Sequence, residues 1–232
     1  MSVSATLHLR PHAEVAERVL LPGDPGRALR LAQQLLDSPR MLNHNRGLWG
    51  YSGAAADGEP LTIQSTGMGG PSAAIVVEEL IALGARRLLR VGTCGALAGG
   101  LGLGRLVIAD GVLAEDGASR ALGATGTLRP DAVLHAALLS AAGKEASAGL
   151  VVSSDLFYDP DPGPAARWAR AGALAVEMEA ATLLAVAGRH GAAAACLLAV
   201  SDTIADRARI GDEALAHAEH ELGRIGAAAV AA

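Results

Sequence analysis

The chain has 232 residues, of which 51% are hydrophobic but only 2% aromatic, and its net charge is −5 with no basic block. That length fits one α/β domain over residues 1–232, with a core of Ala, Leu and Val and closely approaching elements. The charge excludes nucleic acid as the main partner, and no run of 18 apolar residues offers a membrane span. Two cysteines, Cys94 and Cys196, lack the number and spacing of a disulfide framework or a metal site. They read as small buried apolar residues, and with no apolar signal core near residue 1 a reduced, cytoplasmic setting is expected.

In chain order, 18–21 is a first strand that runs into Pro22-Gly-Asp-Pro-Gly-Arg27 and a helix over 28–36. Two glycines and two prolines fix a tight turn, which delivers backbone N–H groups and Arg27 at a helix N-terminus, a place suited to an anion. A plain strand-to-helix turn fits this piece equally well. The polar run Asn43 to Tyr51 separates two expected strands. Residues 61–66 form a strand, the glycine-rich turn Gly67-Met-Gly-Gly-Pro71 follows, and Ser72 is the expected N-cap of a helix over 72–83, with Gly84 just past its end. A strand over 87–91 completes a strand–helix–strand unit, which implies parallel pairing and a right-handed crossover. Gly92-Thr-Cys-Gly-Ala96 is expected as a loop after that strand, with Arg90 at the strand end and Thr93 offering a hydroxyl and an N–H. Small residues there let amides approach a phosphate.

The run Gly99-Gly-Leu-Gly-Leu-Gly104 imitates a dinucleotide fingerprint but precedes the strand at 106–109, whereas a fingerprint follows a strand and opens a helix. It is expected to be a connection. A helix over 131–142 stopped by Gly143, a strand over 150–154, a short helix over 164–171, a strand over 195–202 ending in Ser201 and Asp202, and a last helix over 212–228 complete the alternation. Phe157 and Tyr158, two of five aromatics, sit together after a strand. They suit stacking on a base or plugging a loop.

The most informative stretch is Ala175-Val-Glu-Met-Glu-Ala-Ala181, where Glu177 and Glu179 stand inside an apolar segment. A buried carboxylate needs a partner or a proton. A short strand over 174–176 and a helix from about Glu179, ending at Gly191, put these acids at a strand's carboxyl end, where open α/β sheets bind ligands. A carboxylate accepts two hydrogen bonds side by side, as the two hydroxyls of a ribose offer. The alternative is an ordinary acid favoured by a helix N-terminus.

Seven motifs carry a resemblance: Leu20–Arg27, Asn45–Gly50, Thr66–Ser72, Arg90–Ala96, Ser154–Tyr158, Val176–Ala181 and Val200–Asp202. In this order they resemble the bacterial hexameric purine nucleoside phosphorylases, within the nucleoside phosphorylase–uridine phosphorylase superfamily. The resemblance implies a three-layer α/β/α sandwich with a central mixed, mostly parallel sheet. It implies a homo-oligomer, a hexamer built as a trimer of dimers, acting on a purine nucleoside with inorganic phosphate as co-substrate and with no cofactor or metal. By the same carry-over, Gly23, Arg27, Arg90 and Thr93 would hold phosphate, with Arg46 added from a neighbouring subunit. Glu179 would grip the ribose 2′ and 3′ hydroxyls, with Met178 and Met68 against the sugar, Glu177 beside it, and His8 reaching the 5′ hydroxyl across a dimer interface. Phe157 and Val176 would face the base, with Ser201 and Asp202 at N7, where Asp202 would donate a proton.

Downstream of Asp202 the segment Thr203-Ile-Ala-Asp-Arg-Ala-Arg209 puts no arginine in register with the one that pairs with this acid in the family. This leaves the 6-oxo or 6-amino preference open. No glutamine and arginine pair of the uridine-specific members follows Asp116, which favours purines. The alternatives are a uridine phosphorylase, a methylthioadenosine-type nucleosidase that uses water, a nucleoside-binding protein without turnover, and a dinucleotide-dependent oxidoreductase whose fingerprint is misplaced. Three arginines in the motifs favour phosphorolysis over hydrolysis. The histidines other than His8 read as surface or structural residues.

Overall fold

The computed structural model describes residues 6–232. Strand β1 (Arg18–Leu21) leads into α1 (Pro25–Leu35). The Asp24 carboxylate accepts from the Arg27 N–H at 2.6 Å, and Pro25 sits at the helix start, where a missing N–H costs nothing. The helix therefore begins ahead of the expected Ala28. Strands β2 (Asp37–Asn43), β3 (Gly50–Ala54) and β4 (Pro60–Gln64) form an antiparallel run. Helix α2 (Gly70–Ala82) is capped by Gly69, not by Ser72. The Ser72 hydroxyl instead donates to the Thr66 carbonyl at 2.6 Å and ties the glycine turn shut.

Next come β5 (Arg87–Ala96), β6 (Leu106–Ala114), α3 (Gly117–Ala121), β7 (Thr127–Leu128), α4 (Ala132–Ala142), β8 (Ala146–Ser153), α5 (Gly163–Arg170), β9 (Ala175–Glu177), α6 (Ala180–His190), β10 (Ala193–Thr203) and α7 (Asp212–Ala231). Asp131 caps α4 through its carboxylate, and Gly191 closes α6 in the left-handed region. The expected loop over 92–96 is strand instead. β10 pairs with β5 along its whole length, from Ala193 opposite Arg87 to Thr203 opposite Ala96. Small side chains carry no strand signal there, but the paired backbone makes one.

One mixed sheet contains all ten strands of the described residues, in the order β10-β6-β8-β9-β5-β1-β4-β3-β2, with β7 on β6. β1 runs parallel to β4 and β5, β5 to β10, and β8 to β6 and β9. β9 is antiparallel to β5, and β6 to β10. Because β10 also pairs with β5, the strands β5, β10, β6, β8 and β9 close into a ring.

Side chains alternate between the two faces. Along β10, Cys196, Leu198 and Val200 join a core with α2 and α6, whereas Ala195, Leu197 and Ala199 join a core with α1, α4 and α7. This is the three-layer α/β/α arrangement, with both faces of the central strands buried. Glycine substitutes for the missing aromatic bulk by letting helices approach. A Cβ on Gly226 of α7 would stand 3.0 Å from Val91, and one on Gly223 only 2.5 Å from Leu31 of α1. Both cysteines are buried and unpaired, and burial pushes both thiols well up. No described helix is long and apolar enough to cross a membrane.

Candidate active site

Strand β5 changes neighbour halfway along. β1 pairs with it up to Leu21 opposite Arg90, and β9 pairs with it from Val176 opposite Gly95. Between them, along residues 91–94, that edge of β5 has no paired strand among the described residues. Arg90 is thus not at a strand end, as the sequence suggests, but at the point where the partner strand switches. β9 runs antiparallel to β5, so its carboxyl end comes back toward Arg90 rather than joining a common row of strand ends. A change of strand partner is where open sheets form ligand crevices.

Arg90 is buried at 5% exposure. Its Nη2 lies 2.5 Å from Glu179 Oε2, and its Nε lies 2.7 Å from Glu177 Oε2. That Nε–H is not aligned on the carboxylate, and Nη1 has no hydrogen-bond partner among the described residues. Burial works against the Arg90 charge, but Glu179 and Glu177 more than offset it, and its pKa stays raised. The guanidinium is therefore a fixed cation with donors to spare.

Room for it comes from Gly92, where a Cβ would sit 2.8 Å from Arg90 Cζ and Nη2. Gly92→Ala is expected to destabilise the fold by about 1–3 kcal/mol, because a guanidinium held by two acids cannot step aside. Urea denaturation of the variant against the parent measures this, and an unchanged midpoint would show that Arg90 is free to move.

The two acids of the 175–181 stretch divide their tasks. The Glu177 side chain is fully enclosed. It accepts from the N–H groups of Glu179 at 2.9 Å and Ala180 at 3.0 Å, and from the Ser153 hydroxyl. Its oxygens are committed to shaping the start of α6 and to Arg90, so it supports the site from behind. Glu179 faces the other way. Its Oε1 accepts from the Gly69 N–H at 2.5 Å and its Oε2 meets Arg90, which leaves each oxygen a second lone pair. Burial raises the Glu179 pKa most, Arg90 pulls it down, Glu177 pushes it up, and the balance lies above the ordinary carboxylate value.

The glycine turn is what brings an N–H to Glu179. Gly67 and Gly69 both have positive φ, at 74° and 84°. A Cβ on Gly67 would come 2.6 Å from the Ser72 hydroxyl, so this turn requires glycine. Met68, between them, is exposed, and Met178 and Val176 flank Glu179 half-buried.

On the far edge of β5, Thr93 pairs with Ala199 and Gly95 with Asp202 of β10. A register shift between Val200 and Asp202 leaves Ser201 as a bulge, which turns the Asp202 side chain over Gly95; a Cβ there would lie 2.9 Å from Asp202 Oδ1. The Ser201 hydroxyl stands 2.8 Å from Asp202 Oδ2 and 3.3 Å from the Cys94 carbonyl. Thr203–Arg209 folds back on β10 through the Ile210 N–H to Ser201 carbonyl bond, and neither Arg207 nor Arg209 forms an ion pair with Asp202.

The other expected site residues make their own contacts outside the Arg90–glutamate cluster. Gly23 accepts from the Gly67 N–H at 3.1 Å, which joins the first turn to the glycine turn. Arg27 directs its Nε at Glu219 of α7, at 2.8 Å. His8 is held by Glu79 of α2, its Nδ1 at 2.9 Å and its N–H at 3.1 Å. Arg46 is exposed at positive φ, with no ion pair among the described residues. Phe157 packs edge-on against Tyr158, 4.9 Å between centroids, and both are exposed. Sequence reading missed Ser153 and Glu219. The signal for Glu219 was an acid on the same buried helix stripe as Leu222 and Gly223.

The Phosphorylase superfamily model matches residues 17–232. A purine nucleoside phosphorylase DeoD-type of Geobacillus kaustophilus (strain HTA426) is 39% identical over 199 residues, covering 82% of this chain and 83% of its own. A guanosine phosphorylase of Halorubrum lacusprofundi (strain ATCC 49239 / DSM 5036 / JCM 8891 / ACAM 34) is 40% identical over 195 residues, covering 82% and 80%. A purine nucleoside phosphorylase DeoD-type of Jannaschia sp. (strain CCS1) is 40% identical over 200 residues, covering 82% and 83%. With its fold, its partner-switching strand and its acid–arginine cluster, the chain belongs to the Phosphorylase superfamily.

Proposed function

We propose that the chain catalyses phosphorolysis of purine ribo- and deoxyribonucleosides, releasing the free base and the pentose 1-phosphate for salvage. The observation that carries this reading is the Arg90 cluster: a buried cation with unused donors stands against a carboxylate with unused acceptors. The first suits an oxyanion and the second a vicinal diol, so phosphate and ribose are held side by side. Relatives named as purine nucleoside and guanosine phosphorylases support the purine preference.

The chemistry then balances with few groups. A phosphate oxygen attacks C1′, the C1′–N9 bond breaks, and its electron pair leaves with the purine, which takes a proton at N7 from Asp202. Arg90, Arg27, Gly23 and Thr93 orient the nucleophile, and Glu179 fixes the sugar with Met178 and Met68 beside it. Catalysis is then mostly position and electrostatics. Phe157 and Val176 face the base, with Ser201 supporting Asp202, and Glu177 acts by holding Glu179.

The same reading makes the chain a cytoplasmic homo-oligomer, a hexamer built as a trimer of dimers in which His8 and Arg46 serve a neighbour's site. An exposed Arg46 without an ion pair among the described residues, and exposed Met68, Phe157 and Tyr158, support it.

The test is cleavage of inosine, guanosine, adenosine and uridine, each with and without inorganic phosphate. Purine release that needs phosphate and yields ribose 1-phosphate is expected. Equal release without phosphate would make the enzyme a nucleosidase, and cleavage of uridine alone would overturn the purine assignment.

A further inference from the structure

Outside the Arg90 cluster, α7 carries a buried acid, Glu219. It is 4% exposed and 192 positions from the residue it meets. Its Oε1 accepts from Arg27 Nε at 2.8 Å. Its Oε2 accepts from Arg30 twice, from Nε at 2.9 Å and Nη2 at 2.6 Å. A carboxylate and a guanidinium alone prefer a two-pronged pair that consumes both oxygens. Here Arg30 occupies the second oxygen, so Glu219 can hold Arg27 only by Nε. The Nη groups of Arg27 make no hydrogen bond among the described residues, and they are not sealed from solvent.

The hold is stiff. Gly223, one turn beyond Glu219, lets α7 press on Leu31 of α1, and Asp24 fixes the Arg27 backbone. We infer that Glu219, itself kept single-pronged by Arg30, is a positioning residue that aims the free end of Arg27 at the phosphate nucleophile. This rests on the phosphorylase reading and on Arg27 as a phosphate ligand. It assigns α7, a helix with no other part in the proposed chemistry, a role in phosphate affinity.

The experiment compares Arg27→Gln, Glu219→Gln, Arg30→Gln and the Glu219→Gln/Arg30→Gln pair in the full chain, reading KM for phosphate, KM for inosine, kcat and the melting temperature. Arg27→Gln tests the underlying assignment, and an unchanged phosphate KM in it would remove Arg27 from the site. Given a raised value there, Glu219→Gln is expected to raise the phosphate KM roughly tenfold, about the weight of one charge-assisted hydrogen bond, with the inosine KM unmoved. Arg30→Gln, at a half-exposed side chain, frees Glu219 to take both prongs of Arg27. It is expected to raise the phosphate KM roughly threefold. In the pair, that extra effect should vanish, because there is no carboxylate left to compete.

A phosphate KM unchanged in both Glu219→Gln and Arg30→Gln would overturn the inference. So would a lowered one in Glu219→Gln, since Glu219 would then be sequestering Arg27. Parallel changes in both KM values, kcat and melting temperature would reduce Glu219 to structural support. If Glu219→Gln does not fold, Arg30→Gln decides alone by the same split between the two KM values.

Discussion

Replacing Arg90 with methionine is expected to lower phosphorolysis by roughly 10²- to 10³-fold and to destabilise the fold by about 3–5 kcal/mol. The first effect is loss of a fixed cation beside the attacking oxyanion. The second follows from what remains, which is two carboxylates, Glu177 and Glu179, buried together without their counter-charge. The pH dependence separates this account from a simple packing defect. The Glu179 pKa is already above the ordinary value, with burial and Glu177 raising it and Arg90 alone among its charged neighbours lowering it. A carboxyl whose pKa is higher in the folded chain contributes stability that is complete below the unfolded pKa and is lost as pH rises through the folded one. Without Arg90 the folded pKa moves further up, so the loss extends to higher pH. Arg90→Met should therefore regain stability from about pH 8 to about pH 5 more than the parent does. Urea midpoints at the two pH values measure it. A deficit of equal size at both would show that Arg90 does not compensate these acids.

What the sequence revealed and what it hid follow one line. Local signals were readable: Gly143 and Gly191 as helix stops, the glycine turn at 67–70, and the alternation of strands and helices. The importance of Glu179 was readable because two acids in an apolar run demand partners. Which of them faces outward was not, since that depends on Ser153, 24 positions from Glu177, and on the N–H groups that fold over it. The second half of β5 was hidden because Gly92, Thr93 and Gly95 read as loop, and only pairing with β10 more than a hundred positions later makes them strand. The Ser201 bulge and the Arg27–Glu219 contact were hidden for the same reason. Each is a register between distant segments, and no window of the chain contains both sides.

The bulge matters most for the last expected result. Asp202→Asn should lower kcat on inosine by roughly 10²- to 10⁴-fold, the usual range for a general acid, while leaving cleavage of 7-methylguanosine nearly intact. The 7-methyl base already carries the positive charge that protonation at N7 would supply, so it leaves without a donor. The geometry suits an acid that must gain and lose a proton. Ser201 has one hydroxyl proton and two acceptors in reach, Asp202 Oδ2 at 2.8 Å and the Cys94 carbonyl at 3.3 Å. When Asp202 is ionised the hydroxyl donates to it, and when Asp202 is protonated the hydroxyl can turn to Cys94 and accept from the acid instead. With no arginine ion-paired to Asp202 among the described residues, this serine is the neighbour that accommodates both states. Ser201→Ala is accordingly expected to cost inosine cleavage more than 7-methylguanosine cleavage, in the same direction as Asp202→Asn but by about tenfold at most. Equal losses of Asp202→Asn on both nucleosides would take the proton away from Asp202 and leave it a residue that only orients the base.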